Sequence, residues 1–501
     1  MDNKELLFKL VSIPSVNGTY GEIKIAEFIY NYLVKMKESV NLSDDEFKVF
    51  FQDIEDDELG RKNVICILRG RKVSNKAIII LGHFDTVDIE DYGRFKDIAF
   101  EPAKLKEKFK EIYGGIVDDD TEFGRGIFDM KAGIVVNIKI LEELAKNTDK
   151  WGGYAIFLFV CDEEGDSKGM INTLHFLKKF KKEKDVEYLF CLDTDYATKK
   201  AVYLGSIGKI LVGIFVKGVE THVGQSLEGI NSNYILSCII SEIDNNMDLM
   251  EFSGSQFTSP PVTMKIRDLR EKYNVKTNLY SFAYVNHLFF EKDLEQILES
   301  YKCVIEKVIS KIVDKKKRIL EKVGLDLKIE EIKVYYLEEF IKKYGKFIYK
   351  SYDIEDRREE LVLSLKDWIS GLRIDYPFVL LFFLPPYYPS VKASDRIRNY
   401  ISEYVKVVKE DLEILDYFPY ISDLSFLGSV SKVDFLKNNM LGWGDAYKID
   451  TGLMNEVKME CMDWGVLGAD AHKFTERVFV NYSLYKLPSL ILGFIYKFLE
   501  K

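Results

Sequence analysis

The hydrophobic pattern is clearest between residues 77 and 193. Three short runs, "AIIIL" at 77–81, "YAIFLFV" at 154–160 and the stretch 187–193, are apolar at nearly every position. Between them, Ile134, Val135, Ile138, Leu141 and Leu144 recur at the three- and four-residue spacing of a helix face, and 169–180 carries a second helical pattern. Runs apolar on both faces suit buried strands of a parallel sheet. The alternation therefore predicts an α/β domain, a mostly parallel sheet with helices on both faces.

From about residue 206 the style changes. A strand at "IGKILVGIFVKG", a helix at "NSNYILSCIISEI", strands at "PVTMKI" and "NLYSFAYVNHLFF", a long helix from 291 and a strand at "LKIEEIKVYYL" give the order βαββαβ. This reads as an inserted α+β domain with helices on one face, its lysines and glutamates in 291–345 forming a solvated helix surface. After about 338 the first style returns, with "PFVLLFFL" as a further buried strand. The expected organisation is 1–205 and 338–501 for the first domain and 206–337 for the insertion, in keeping with 501 residues being too many for one core.

Composition narrows the field. A net charge of -10 argues against a nucleic-acid surface. The first residues are interrupted by charges, and "FVLLFFL" is too short to span a bilayer, so a cytoplasmic protein with no membrane partner is expected. The six cysteines include no C-x-x-C pair and read as reduced structural thiols.

Only five histidines occur, so each can be weighed. In "LGHFDTVD", His83 and Asp85 follow a strand, two apart and on one side, so Asp85 can orient an imidazole whose other nitrogen binds a metal. Alone, such a histidine is more often a hydrogen-bonded loop residue than a ligand. Asp129 in "GRGIFDMKAG" precedes a helix and can be a ligand or merely its cap. In "FVCDEEGDSKG", Glu163 and Glu164 follow a buried strand with diverging side chains, one free to bind a metal and one to act as a base. "CLDTDY" adds Asp193 and Asp195, and "GVLGADAHKFTERV" adds His472, at what looks like the start of a helix. His175 and His287 read as exposed or packed residues. Together the strand ends offer two histidines and several carboxylates, a donor set for zinc with acids enough to bridge two ions.

In this order, "LGHFDTVD", "GRGIFDMKAG", "CDEEGDSKG", "DTDY", "ETHVGQSLEGINS" and "GADAHKFTERV" resemble the metallopeptidase family of aminoacylase, acetylornithine deacetylase and carboxypeptidase G. "LVSIPSVNGTYGE", "FFLPPYYPSV" and "YISDLSFLG" resemble a branch linked to arginine use. The resemblance implies a zinc-peptidase domain with a lid and dimerisation insert. It also implies two Zn2+ ions, with Co2+ or Mn2+ as alternatives. His83, Asp129, Glu164, Asp195 and His472 would be the metal ligands, Asp129 bridging, with Asp85 orienting His83. Glu163 would be the general base for a water that attacks a peptide or N-acyl amino-acid amide. His222 would reach a neighbouring subunit's site to hold the oxyanion. The segment of relatives that reads E-P-T is Asp195-Tyr196-Ala197 here, which leaves Asp193 as a rival ligand. A proline usual after "DTV" is Asp88, and the turn before His472 lacks another. The alternative class is a non-catalytic binding or regulatory protein that keeps the fold.

Overall fold

The structure is a computed structural model that describes residues 1–354 and 356–499. It divides into two compact units, Met1–Ser206 with Val391–Ser429 and Gly452–Lys501, and Ile207–Ser390 with Val430–Thr451. Among the described residues, no helix is long and apolar enough to cross a membrane.

The first unit is built on an eight-stranded sheet. Its order is Phe47–Asp53, Lys62–Arg69, Gly152–Val160, Lys72–His83, Glu187–Asp193, Glu460–Asp463, Ala201–Tyr203 and Glu413–Leu415. The centre is parallel, from Gly152–Val160 across to Glu460–Asp463. The two outermost strands on one side are antiparallel additions. Ile78, Ile80, Phe157, Phe159, Phe190 and Leu192 share a core with Ile134, Val135 and Leu141 of the helix Ala132–Lys146. The next crossover, helix Lys168–Lys184, runs back past Lys72–His83 to Glu187–Asp193. Because right-handed crossovers that reverse direction lie on opposite faces, Lys72–His83 is the topological switch strand, whose carboxyl end is where open α/β sheets bind ligands. Register brings the ends level: His83 lies opposite Val160, Leu81 opposite Asp193, and Asp463 opposite Asp193.

The second unit holds a five-stranded sheet ordered Val262–Asp268, Tyr280–Phe289, Gly208–Lys217, Phe378–Tyr388 and Lys333–Tyr336. Here two expectations need correction. The strand predicted at "PFVLLFFL" pairs along its length with Gly208–Lys217, so it belongs to this unit, and the chain returns to the first unit at Val391 instead of 338. Periodicity could not assign it, since an apolar run fits any two-sided sheet. Nor do helices cover a single face. Leu211, Phe215, Phe282, Phe378 and Phe382 pack with Phe340, Leu361 and Leu365 of the helices Leu337–Tyr344 and Arg357–Ser370. None of the helices Ser232–Ile243 and Leu294–Val323 enters that cluster, although both contact the same strands; they cover the opposite face. The long helix opens with an Asp293–Gln296 capping box and closes at Gly324 in the left-handed region.

Candidate metal centre

The presumed donors gather at the carboxyl end of the first unit's sheet. His83 is the last residue of its strand and is buried. Asp129 lies in the irregular turn Ile127–Lys131, entered through Gly126 at φ 73°, where a Cβ would fall 2.3 Å from the Thr86 methyl. It makes no cap: Lys131 occupies the N-cap position of the following helix, and no side chain bonds there. The Asp129 carboxylate points instead at both histidines, with Oδ1 3.2 Å from His83 Nε2 and Oδ2 2.9 Å from His472 Nε2.

His472 does not begin a helix. It sits at φ 63° in the turn joining the antiparallel strands Val466–Ala469 and Arg477–Phe479, which lets its half-exposed ring reach Glu164 Oε1 at 2.9 Å as well as Asp129. Two donor sets result, His83 with Asp129 and Asp195, and Asp129 with Glu164 and His472; within each, one ligand atom per residue lies within 4.8 Å of the others. Nitrogen and carboxylate oxygen donors that close, sharing Asp129, suit a pair of divalent ions. Asp193 belongs to neither set, and its Oδ2 accepts from Ser422 Oγ at 2.8 Å. Glu163 stands beside the donors without belonging to either set, Oε2 3.8 Å from His83 Nε2.

Asp85 has a wider task than orienting His83. The nearest acceptor to His83 Nδ1 is the Asp85 main-chain carbonyl at 3.1 Å, with carboxylate Oδ1 at 3.6 Å. That carboxylate accepts the amides of Glu163 and Glu164, both at 3.1 Å, and Asn17 Nδ2 at 3.0 Å. One side chain therefore fixes the turn that presents both glutamates. His222 belongs to the second unit, where it is exposed and its Nδ1 accepts the Gly224 amide at 3.1 Å.

Electrostatics follow from crowding acids in a buried place. Burial alone would lower both imidazoles, but their carboxylate neighbours win: Glu163, Asp129 and Asp85 hold His83 well above its ordinary value, and Asp129 and Glu164 raise His472 to about 11. Conversely, although burial opposes it, the two imidazoles pull Asp129 below the usual carboxylate range. Glu163 is pushed well up by burial and by Glu164, Asp423 and Asp129, against the pull of His83. Burial and Asp129 raise Asp195 and Glu164 as well.

Several supporting residues carry no motif of their own in the sequence reading. Glu476, fully buried, accepts the amides of Gly126, Phe128 and Asp129 at 3.0–3.2 Å and the Arg125 guanidinium at 2.8 Å, so it holds the backbone of the bridging aspartate. Arg61 donates to Asp162 at 2.6 Å, Glu22 at 3.2 Å and Asp57 at 2.7 Å, and Glu22 in turn accepts the Asp162 amide at 3.0 Å. Asp162, at φ 66°, turns the chain into Glu163 and Glu164. Glu476 lies in the same segment as His472, and Asn17 and Glu22 lie in "LVSIPSVNGTYGE", but no spacing tied any of them to a ligand; Arg61 lies in no such segment.

Geometry of this kind, a dinuclear donor set at the strand ends of an α/β sheet, defines a metallohydrolase class. Residues 79–460 match peptidase family M20/M25/M40, and the chain belongs to that family of hydrolases acting on peptide and amide bonds. Within it the chain is similar to two Bacillus subtilis proteins, YqjN and RocB. Each is 30% identical over 97% of this chain, covering 94% of YqjN and 93% of RocB. The RocB-type resemblance read from the three short segments is borne out. Among solved structures it is similar to the Bacillus subtilis YxeP protein, described as a dinuclear metal binding peptidase of the M20 family, with a TM-score of 0.55, 12% identity, and coverage of 100% of this chain and 98% of that one.

Replacing Arg61 by Met should destabilise the first unit by about 3–5 kcal/mol, because the buried Asp162 and Asp57 carboxylates would lose their cation. Urea unfolding followed by tryptophan fluorescence measures this, and a change under 1 kcal/mol would show that the guanidinium does not support the glutamate turn.

Proposed function

We propose that this chain is a dizinc hydrolase of peptide or N-acyl amino-acid amide bonds, with Co2+ or Mn2+ able to replace zinc. His83, Asp129 and Asp195 would hold one ion and Asp129, Glu164 and His472 the other. The observation that carries the reading is the Asp129 carboxylate, within 3.2 Å of one histidine and 2.9 Å of the other. When bound, the ions would lower the pKa of a water and polarise the amide carbonyl.

The chain's own residues do the rest. Glu163, outside both donor sets but next to them, takes the proton of the attacking water and returns it to the leaving amine. Asp85 keeps Glu163 and Glu164 on one turn, so base and ligand stay in register. His222 of a partner subunit donates to the developing oxyanion, as the family resemblance implies. Dimerisation through the second unit is supported by its edge strand, where Val262, Met264 and Ile266 are 44%, 60% and 48% exposed on alternate positions. A cytoplasmic role in arginine degradation completes the proposal; its support is the resemblance of the three short segments to the arginine-linked branch.

Glu163→Gln should retain about two metal ions per chain and lose roughly 10²–10⁴-fold in kcat, whereas Asp129→Ala should lose most metal, as read by mass spectrometry. Retained turnover in the first variant would remove Glu163 from the role of base.

Metal must displace protons from His83 and His472, which are charged at neutral pH in the metal-free chain. Affinity should therefore rise with pH between 6 and 9, by up to roughly tenfold per unit for each proton displaced. Calorimetry in two buffers of different ionisation enthalpy measures the protons released; none released would contradict the assigned ligands.

Mixing His222→Ala with Glu163→Gln, each inactive alone, should restore part of the activity, since a mixed dimer holds one complete site. No recovery from subunits shown to have exchanged would confine His222 to its own chain.

A further inference from the structure

The segment "YISDLSFLG", residues 420–428, supplies none of the assigned ligands, yet it brings a carboxylate to the wall of the centre. Asp423 is 2% exposed, and neither of its oxygens makes a hydrogen bond of ordinary geometry; the neighbouring Ser167 hydroxyl only partly offsets its burial. The charges it feels are those of His83, Asp193 and Asp85, and its own charge acts on Glu163, so it stands on the His83 and Glu163 side of the donors. Next to it, Ser422 binds Asp193 Oδ2 at 2.8 Å while Asp193 Oδ1, also buried, has no partner. Three buried carboxylate oxygens in one place without a hydrogen-bond donor call for a group that supplies one, because a buried polar atom without a partner is costly.

The metal pair does not meet that need. Asp423 and Asp193 belong to neither donor set. With two divalent ions bound, the three donor carboxylates would leave one positive charge, and Glu163, Asp193 and Asp423, if ionised beside them, would bring three negative ones, a net charge of two negative. A substrate that brought its own positive group would complement this field.

We propose that Asp423, with Asp193 beside it, seats the guanidinium or primary ammonium group of the substrate, so that the hydrolase acts on amides whose product is a cationic amino acid. A guanidinium fork matches paired carboxylate oxygens, and an ammonium can donate to the same atoms. The inference rests on the metallohydrolase reading above for its product chemistry, but its test reads binding alone.

Calorimetry on the zinc-loaded full chain compares L-arginine with its neutral isostere L-citrulline, and L-lysine with L-norleucine, for wild type and Asp423→Asn. Wild type should bind at least one cationic member tenfold or more tightly than its neutral counterpart. Preference in the arginine pair identifies a guanidinium seat and in the lysine pair an ammonium seat. Asp423→Asn should lose the preference, keep the affinity for the neutral member, and keep both metal ions by mass spectrometry; Asp423→Ser serves if the first variant does not fold. Three results overturn the proposal: no preference in wild type, an unchanged preference in the variant, or loss of metal from the variant, which would make Asp423 part of the ion site. Cation-selective binding by a chain that cleaves no amide would leave the seat standing and refute the hydrolase.

Discussion

Everything at this centre depends on holding one carboxylate, Asp129, between two imidazoles that come from distant parts of the chain, 46 residues before it and 343 after it. A shared carboxylate serves two ions only if its plane is fixed, and no rotamer preference alone does that. Here the fixing is done from the main chain outward. Glu476 takes the amides on either side of the turn, Gly126 gives the turn its left-handed entry, and Arg125 offsets the charge of Glu476. The opposite wall follows the same plan, with Asp85 holding the glutamate turn by its amides and Arg61 holding Asp162 at its start. Both turns are thus organised by side chains that never touch a ligand atom of their own.

The cost of this arrangement is a concentration of negative charge in a place with little water. The same carboxylates, outweighing burial, hold the protons of His83 and His472 well above the ordinary histidine value. Folding and cation binding are then one equilibrium: whatever occupies the donors also stabilises the sheet ends that carry them. Asp423 and Asp193 extend the same logic past the presumed ligands, to a part of the wall where burial outweighs the charge of His83.

Much of this was legible along the chain. Continuous apolar runs ending in His83, in Glu163 and Glu164, and in Asp195 mark the strand ends of a parallel sheet directly, because burial on both faces removes alternation and leaves the polar residues only at the edge. Other features were not. An apolar strand such as Phe378–Tyr388 carries no address, and its partner Gly208–Lys217 is settled by three-dimensional pairing. The hairpin holding His472 looked helical because its residues lack alternation, whereas a left-handed turn for a histidine depends on contacts with Asp129 and Glu164 that local sequence does not encode. Asp193 and Asp195 are equivalent by spacing, and only the hydrogen bond from Ser422 separates them.

The strand Glu460–Asp463 fills the gap between Glu187–Asp193 and Ala201–Tyr203, and the hairpin that follows it carries both His472 and Glu476. On the ribosome, therefore, the eight-stranded sheet stays in two pieces and Asp129 stays unbraced until more than nine-tenths of the chain has been made. The donor set that needs His472 is incomplete during most of synthesis. Its assembly is a late event that reports on completion of the polypeptide, and a chain cut short before the hairpin would carry most of the acids with neither the second histidine nor the brace that makes them a site.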